Sequence, residues 1–273
     1  MDFVDMALAR RLEAAEEMPQ VHCAELLQQH DPAIHAAAEE IGGGHVVFAG
    51  LGSPIGRAVG IGLDGPVSAE LLDRIEGFYR SHGAPAQVDV CPLTHPSLLE
   101  LLKNRRYYMS ELNNVLFRRV SREERFDGPP SGVEITRGNR EEADVFTDIV
   151  ARSFFPKGDA PKEFSTWLMP LFQYEDAVTF LATANGAPAG SGVGQLMHPH
   201  NIFAFFGDGT LSEYRGRGIQ QALIRERLRL AAEIGCDVAV VITQGGSTSQ
   251  HNYERSGFRV AYSKATLVKD VGF

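Results

Sequence analysis

The sequence predicts an α+β chain, layered in the α/β manner, built as two mixed-sheet halves in tandem. Three observations carry this. An apolar run, Ile202 to Phe206, leads through a glycine-bearing loop into a helical pattern, and a second apolar run, Val238 to Ile242, follows. Strand, loop, helix, strand is the pattern of a layered sheet. Val178–Thr183 and Ala189–Leu196 flank Asn185-Gly186, the strongest short hairpin signal in the chain. Finally, Gly83 to Tyr107 is 24 residues and Gly235 to Phe258 is 23, while Tyr107 to Leu116 and Phe258 to Leu267 are both 9. In each half the glycine precedes a strand, a helix, an aromatic residue and a last strand, which indicates a diverged internal repeat.

Taken in order, Ala7, Leu8, Leu12 and Ala15 suit one helix, and Cys23, Leu26, Leu27, Ile34 and Ala38 a second, interrupted at Asp31-Pro32. His45–Ala49 and Arg57–Leu63 read as strands, Pro66–Ser81 as a helix ended by Gly83, Ala86–Val90 as a strand, His95–Lys103 as a helix and Glu111–Val120 as a strand. The charged, Gly-Pro-Pro-bearing stretch before Gly132 reads as a linker. The predicted division is a first half at 1–122, a linker at 123–131 and a second half at 132–273. Val133–Ile135 restarts as a strand, and Arg140–Phe154 is a helix. Ile219, Leu223, Leu230 and Ile234 form the apolar stripe of a further helix, with Arg225, Glu226, Arg227, Arg229 and Glu233 on a solvated face and Gly235 as its C-terminal cap. His251-Asn252-Tyr253 opens a short helix, and Thr266-Leu267-Val268 suggests the last strand.

Composition narrows the function classes. The 273 residues are 44% hydrophobic and 22% charged, as in globular proteins, and the net charge is −9. With no long basic run, nucleic acid is not an expected partner. No apolar stretch approaches a membrane span, and the start, Met1 to Asp5, lacks the basic and apolar segments of a signal peptide. Cys23, Cys91 and Cys236 have no paired spacing and read as buried thiols. The expectation is a cytoplasmic protein acting without membrane or nucleic acid; a homodimer is compatible with the sequence.

The chemistry is concentrated in Thr210 to Gln221, Thr-Leu-Ser-Glu-Tyr-Arg-Gly-Arg-Gly-Ile-Gln-Gln. A strand that turns through two glycines into a helix presents unpaired amides and the positive helix end to an anion, and Arg215 and Arg217 add charge, so a phosphorylated ligand is expected. A P-loop is excluded because no Gly-x4-Gly-Lys-Ser/Thr string occurs, and a dinucleotide fingerprint because Gln221 stands where its third glycine belongs. Gly50–Gly56 is also glycine-rich, but an extended pattern rather than a helix follows it, so it reads as a hairpin turn.

What remains, Arg-x-x-Gly-x-Gln from Arg215 to Gln220, resembles the acetyl-CoA loop of the GNAT acyltransferases, Gln/Arg-x-x-Gly-x-Gly/Ala, with Gln220 replacing the last small residue. Tyr253-Glu254-Arg255-Ser256-Gly257-Phe258 resembles the GNAT signature Tyr-Glu-x-x-Gly-Phe, and the order of elements from Ile202 to Val268 matches as well. The resemblance implies two GNAT-like halves, only the second with the full loop. Asp64-Gly65-Pro66-Val67-Ser68 lacks the arginines and glycine spacing, so the first half is expected to hold no coenzyme. The implied activity is transfer of an acetyl group from acetyl-CoA directly to an amine, on a small-molecule or peptide acceptor, with no metal.

By the same resemblance, coenzyme binding falls on Asp208, Gly209, Thr210 and Leu211 at the strand end, on Arg215, Gly216, Arg217, Gly218, Ile219, Gln220 and Gln221 in the loop, and on Ser249 and Asn252. The family often carries an asparagine where this chain has Gly246, and Ser247, Ser249 or Asn252 is the expected substitute for it. Tyr253 takes the place of the general acid toward the thiolate, and Asp208 is the candidate base. An amide near Gly207 could polarise the thioester carbonyl. Gly207 and Gly209 suggest a bulge that parts this strand from its neighbour and makes room for pantetheine. Phe154 to Phe172 corresponds to the acceptor side. His198-Pro199-His200 reads as a solvated loop, since no third metal ligand is evident. The alternatives are another tandem-GNAT transfer, mycothiol-synthase-like or aminoacyl, and a coenzyme-binding sensor or scaffold without turnover.

Overall fold

The computed structural model describes residues 3–198 and 200–269. Its first element is one long helix, α1 (Met6–His30), in place of the predicted pair. Asp5 caps it by accepting from the Leu8 amide at 2.8 Å. The chain leaves the helix at Asp31, the residue before Pro32, where proline disfavours helical backbone. Ala38, expected in a helix, instead lies in strand β1 (Ala37–Ile41), which pairs antiparallel with β2 (Gly44–Phe48). Gly42 and Gly43, at φ 65° and 81°, make the two-residue turn between them. Of the predicted strand Arg57–Leu63 only β3 (Ala58–Val59) forms, because Gly60 and Gly62 at φ 79° and 78° turn the chain away.

Then come α2 (Ala69–Ser81), β4 (Gln87–Val90), α3 (Pro96–Asn104) and β5 (Tyr107–Arg119), close to their predicted bounds. Beyond them are β6 (Val133–Arg137), α4 (Ala143–Phe154), α5 (Phe164–Leu168), α6 (Pro170–Gln173), β7 (Ala177–Ala184), β8 (Ala187–Met197), β9 (Ile202–Thr210), α7 (Ile219–Ile234), β10 (Val238–Gln244), α8 (Thr248–Arg255) and β11 (Arg259–Lys269).

The chain divides into two compact units, residues 1–115 with 261–273, and residues 116–260. In the first, the strand order is β1-β2-β3-β4-β11-β5, with β3 parallel to β4 and β11 antiparallel to it. In the second, it runs from the end of β5 through β10-β9-β8-β7-β6, with β9 and β10 parallel and the others beyond them antiparallel. The predicted layered, two-half mixed-sheet fold is thus observed: β3-α2-β4-α3-β5 and β9-α7-β10-α8-β11 repeat one order. The division falls elsewhere than at 123–131, because residues 265–268 of the last strand pair with β4.

Residues 123–131 are not a loose tether either. Arg225 Nε donates to the Asp127 carbonyl at 3.2 Å and Arg229 Nη2 to that of Phe126 at 3.0 Å, while Phe126 packs on the second unit's core. In that unit, a Cβ on Gly190 would meet Ile219 and Leu223 of α7, and one on Gly209 would meet Ile149 and Ser153 of α4. The two helices therefore cover opposite faces of the β8–β9 ladder. Asn185 and Gly186, at φ 52° and 79°, form the predicted β7–β8 turn.

The first unit buries an ionic cluster. Lys264 Nζ lies 3.1 Å from Glu13 Oε2, also contacts Glu16, and stands 3.8 Å from Asp89 Oδ2; Tyr262 donates to Glu13 at 2.7 Å. Burial raises the Asp89 carboxyl from 3.8 to about 6 although Arg57 and the Thr266 hydroxyl oppose the shift. Because the folded value is the higher one, the associated stability is present below the unfolded pKa and lost as pH rises through about 6. Relative to Asp89→Asn, the wild-type protein should therefore gain about 2.4 kcal/mol between pH 7 and pH 4 in urea unfolding. A difference that does not change with pH would contradict this. All three cysteines are buried, and burial pushes the Cys91 thiol up to about 12.

Candidate functional site

The β9–β10 ladder pairs Ile202 with Val238 and continues to Phe205 with Val241. Both strands go on, to Thr210 and Gln244, yet the pairing stops there. The cause is on the other edge of β9. Against β8, Gly209 faces Ser191 but Phe206 faces Val193, so β9 carries one extra residue at the Gly207-Asp208 position. Gly207 holds φ 61°, which favours glycine, and a Cβ there would press on Val193 and Phe172. The predicted bulge is present, and the two parallel strands part beyond it.

At the end of β9 the chain makes a short 3-10 turn, Ser212–Tyr214, and enters α7 through Gly216 and Gly218, both at φ 77°. No side chain caps α7. The amides of its first turn are therefore left without a capping partner. A Cβ on Gly216 would meet nothing within 4 Å, so the loop is open on that side, whereas Gly218 packs against Pro130.

The other loop side chains have definite partners. Arg215 turns back: its Nη2 donates to the Ser153 carbonyl at 2.8 Å and its Nε to that of Thr210 at 3.4 Å. Arg217 stands over the Tyr214 ring at 5.3 Å, with a long 3.5 Å contact to the Glu213 carbonyl. Gln220 donates to Ser249 Oγ at 3.1 Å and accepts from Asn252 Nδ2 at 2.7 Å, while Gln221 donates to the Asn252 carbonyl at 2.5 Å. Thus Gln220, which departs from the expected small residue, ties the start of α7 to α8 through the two residues predicted beside it. Leu211 is buried, and its amide bonds the Ala189 carbonyl at 3.0 Å.

Asp208 and Tyr253 come together. The Tyr253 hydroxyl donates to Asp208 Oδ2, and its ring is wholly buried between Phe205 and Phe258. Burial, reinforced by the Asp208 charge, raises the phenol well above its ordinary value, against the opposing pull of Arg227. Arg227 itself corrects the expected solvated face of α7. It is fully buried, with Nη2 2.5 Å from Asp208 Oδ1 and 3.4 Å from the Tyr253 oxygen. Its Nη1 and Nε donate to the carbonyls of Val193 and Leu223 at 3.0 and 3.1 Å, and the guanidinium sits 4.7 Å over Phe205. Burial works against its charge, but Asp208 and Tyr253 more than offset this and its pKa rises. Ile234, expected in the buried stripe, is 41% exposed. The sequence did carry a signal: Arg227 lies four residues after Leu223 and three before Leu230, inside the apolar stripe.

The corresponding opening in the first unit is filled. Thr94 Oγ1 donates to the Ile61 carbonyl at 2.7 Å and the His95 amide to that of Gly62 at 2.8 Å, just where β3 leaves β4. Ser68 caps α2 by accepting from the Leu71 amide at 3.2 Å, and Asp64 pairs with Arg10 at 2.7 Å. A capped helix beside a carboxylate is a poor phosphate site. Among the described residues, no group of three or more His, Cys, Asp or Glu side chains is placed to hold a metal ion, and no helix is long and apolar enough to cross a membrane.

Residues 144–258 match the acetyltransferase (GNAT) family model. No curated protein matches the chain. Among solved structures, the chain is similar to a GCN5-related N-acetyltransferase from Kribbella flavida, at 17% identity and a TM-score of 0.66, covering 92% of this chain and 96% of that one. It is also similar to a tandem GNAT protein from the clavulanic acid biosynthesis pathway, at 13% identity and a TM-score of 0.61, covering 87% and 79%. A GCN5-related N-acetyltransferase from Sphaerobacter thermophilus matches at 19% identity and a TM-score of 0.54, covering 75% and 66%. These likenesses show the fold, including its tandem form.

Proposed function

We propose that this chain, whose residues 144–258 form a domain of the acetyltransferase (GNAT) family, moves an acetyl group from acetyl-CoA directly to an amine. The observation that carries the reading is the parting of β9 from β10 beside an uncapped helix N-terminus. The residues fit the coenzyme. The unpaired strand edge from Asp208 to Thr210 can bond an extended amide chain, and the amides from Gly216 to Gln221 suit a pyrophosphate. Arg217 is the loop cation with fewest ties to the protein; Arg215 serves by holding the loop to Ser153, and Ser249 and Asn252 serve through Gln220.

Acetyl-CoA supplies the acetyl group activated as a thioester. The protein holds an amide near Gly207 toward the thioester carbonyl, a carboxylate at Asp208 to take the proton of the amine, and a hydroxyl at Tyr253 to protonate the departing sulfur. The acceptor class is a small-molecule or peptide amine. A coenzyme-binding chain without turnover is the second reading. It is favoured by the commitment of the buried Tyr253 hydroxyl to Asp208.

Calorimetry with acetyl-CoA, followed by thiol release across a panel of amines, separates these readings. Absence of binding would sink both, and binding without release on any amine would leave the second. Arg217→Glu should weaken acetyl-CoA binding about tenfold or more while leaving the thermal midpoint unchanged. Equal affinity would remove this loop from the coenzyme site.

A further inference from the structure

Arg227 belongs to no expected part of the site, yet it joins the two groups on which the proposed chemistry rests. Its guanidinium reaches four groups at once, by an ion pair to Asp208 and hydrogen bonds to the Tyr253 oxygen and the Val193 and Leu223 carbonyls. A planar guanidinium can do this and an ammonium cannot. The packing around it is made to measure. On β8, a Cβ at Gly192 would lie 2.8 Å from Asp208 Oδ1 and 2.9 Å from Arg227 Cζ, so the missing side chain is the room the pair occupies.

The proton count follows from the donors. Arg227 has no acceptor, so toward it the Tyr253 oxygen accepts, and the one phenolic proton is left for Asp208. Asp208 keeps part of its side chain accessible, whereas Arg227 is fully buried.

We propose that Arg227 is a positioning residue that holds the Asp208 carboxylate and the Tyr253 hydroxyl as one unit, in which Tyr253 gives its hydrogen bond to Asp208 until Asp208 itself gains a proton. A proton arriving on Asp208 cancels the charge that strengthens its hydrogen bond from the Tyr253 O–H, and the weakened bond leaves that hydroxyl freer to donate elsewhere. Donation by Tyr253 thus waits on acceptance by Asp208, and the guanidinium keeps its other contacts throughout. This deepens the acetyl-transfer reading and rests on it for its consequence, but the arrangement exists in the ligand-free chain and is testable there.

The experiment is an ultraviolet difference titration of tyrosine ionisation in ligand-free protein, with Tyr253→Phe subtracted to isolate Tyr253. In the wild type, Tyr253 should stay protonated up to alkaline unfolding. Asp208→Asn, which leaves Arg227 unopposed, should bring its ionisation to lower pH. An unshifted titration in a folded Asp208→Asn protein would overturn the proposal. Arg227→Lys, which keeps the charge in a single-point form, should lower turnover about tenfold, leave the KM for acetyl-CoA within about twofold, and move the alkaline limb of the pH–rate profile. Wild-type turnover and pH profile in Arg227→Lys would show a merely structural residue. If that variant fails to fold, Gly192→Ala crowds the same pair without changing charge and should reproduce the kinetic effect; wild-type kinetics would overturn the proposal. Failure of the wild-type chain to bind acetyl-CoA would overturn the transfer reading alone, since the titration does not involve the coenzyme.

Discussion

Asp208→Asn is expected to reduce turnover by a factor on the order of 100 to 1,000 while leaving acetyl-CoA affinity nearly unchanged. The side chain lies at the bulge where β9 leaves β10, and both of its oxygens have defined partners. Asparagine keeps the size, so the bulge and the strand edge that would receive the coenzyme persist. What is lost is the acceptor for a proton and the countercharge for Arg227. Steady-state kinetics of thiol release, with calorimetry for binding, separates the two quantities. Loss of binding in parallel with turnover would place Asp208 in coenzyme recognition instead.

Lys264→Met is expected to cost about 3–5 kcal/mol of stability near neutral pH. The ammonium is buried among Glu13, Glu16 and Asp89, and methionine would strip all three of its charge, Asp89 keeping Arg57 at 3.7 Å. Orphaned buried carboxylates keep their place only by binding protons. Their folded pKa values would then exceed the unfolded ones, so the loss should be largest at alkaline pH and shrink as the pH falls toward 5. Urea unfolding at three pH values tests this. A loss independent of pH would mean that the lysine stem, not its charge, carries the effect.

Both predictions rest on residues that periodicity alone places poorly. In β11, Tyr262, Lys264, Thr266 and Val268 share the buried face, so a lysine occupies a position the strand's alternation assigns to the core. In α7, Arg227 occupies the apolar stripe in the same way. A charged residue on a buried stripe is legible as an anomaly, but its partners come from elsewhere in the chain: Asp208 and Tyr253 for Arg227, and Glu13, Glu16 and Asp89 for Lys264. The local features were readable for the opposite reason. Asn185-Gly186, Gly207, Gly218 and Gly235 each act through the backbone at their own position, and the turn, bulge, helix entry and helix cap appear there. The helix ends at Asp31-Pro32 as expected, but the residues beyond read as helix because Ala37–Ile41 follows no strong alternation, and its pairing with β2 depends on the Gly42-Gly43 turn.

The tandem layered fold and the glycine-bearing entry into α7 follow from the order of amino acids alone. Each of these is set by local periodicity, glycine placement and spacing, which operate over a few residues. Tertiary structure decided which side chains share a proton and a charge at the site, that Gln220 locks Ser249 and Asn252 to α7, and that Thr94 and His95 fill the first unit's opening. Those outcomes depend on residues distant in the chain meeting at hydrogen-bond distance, and on burial deciding which charges must be paired.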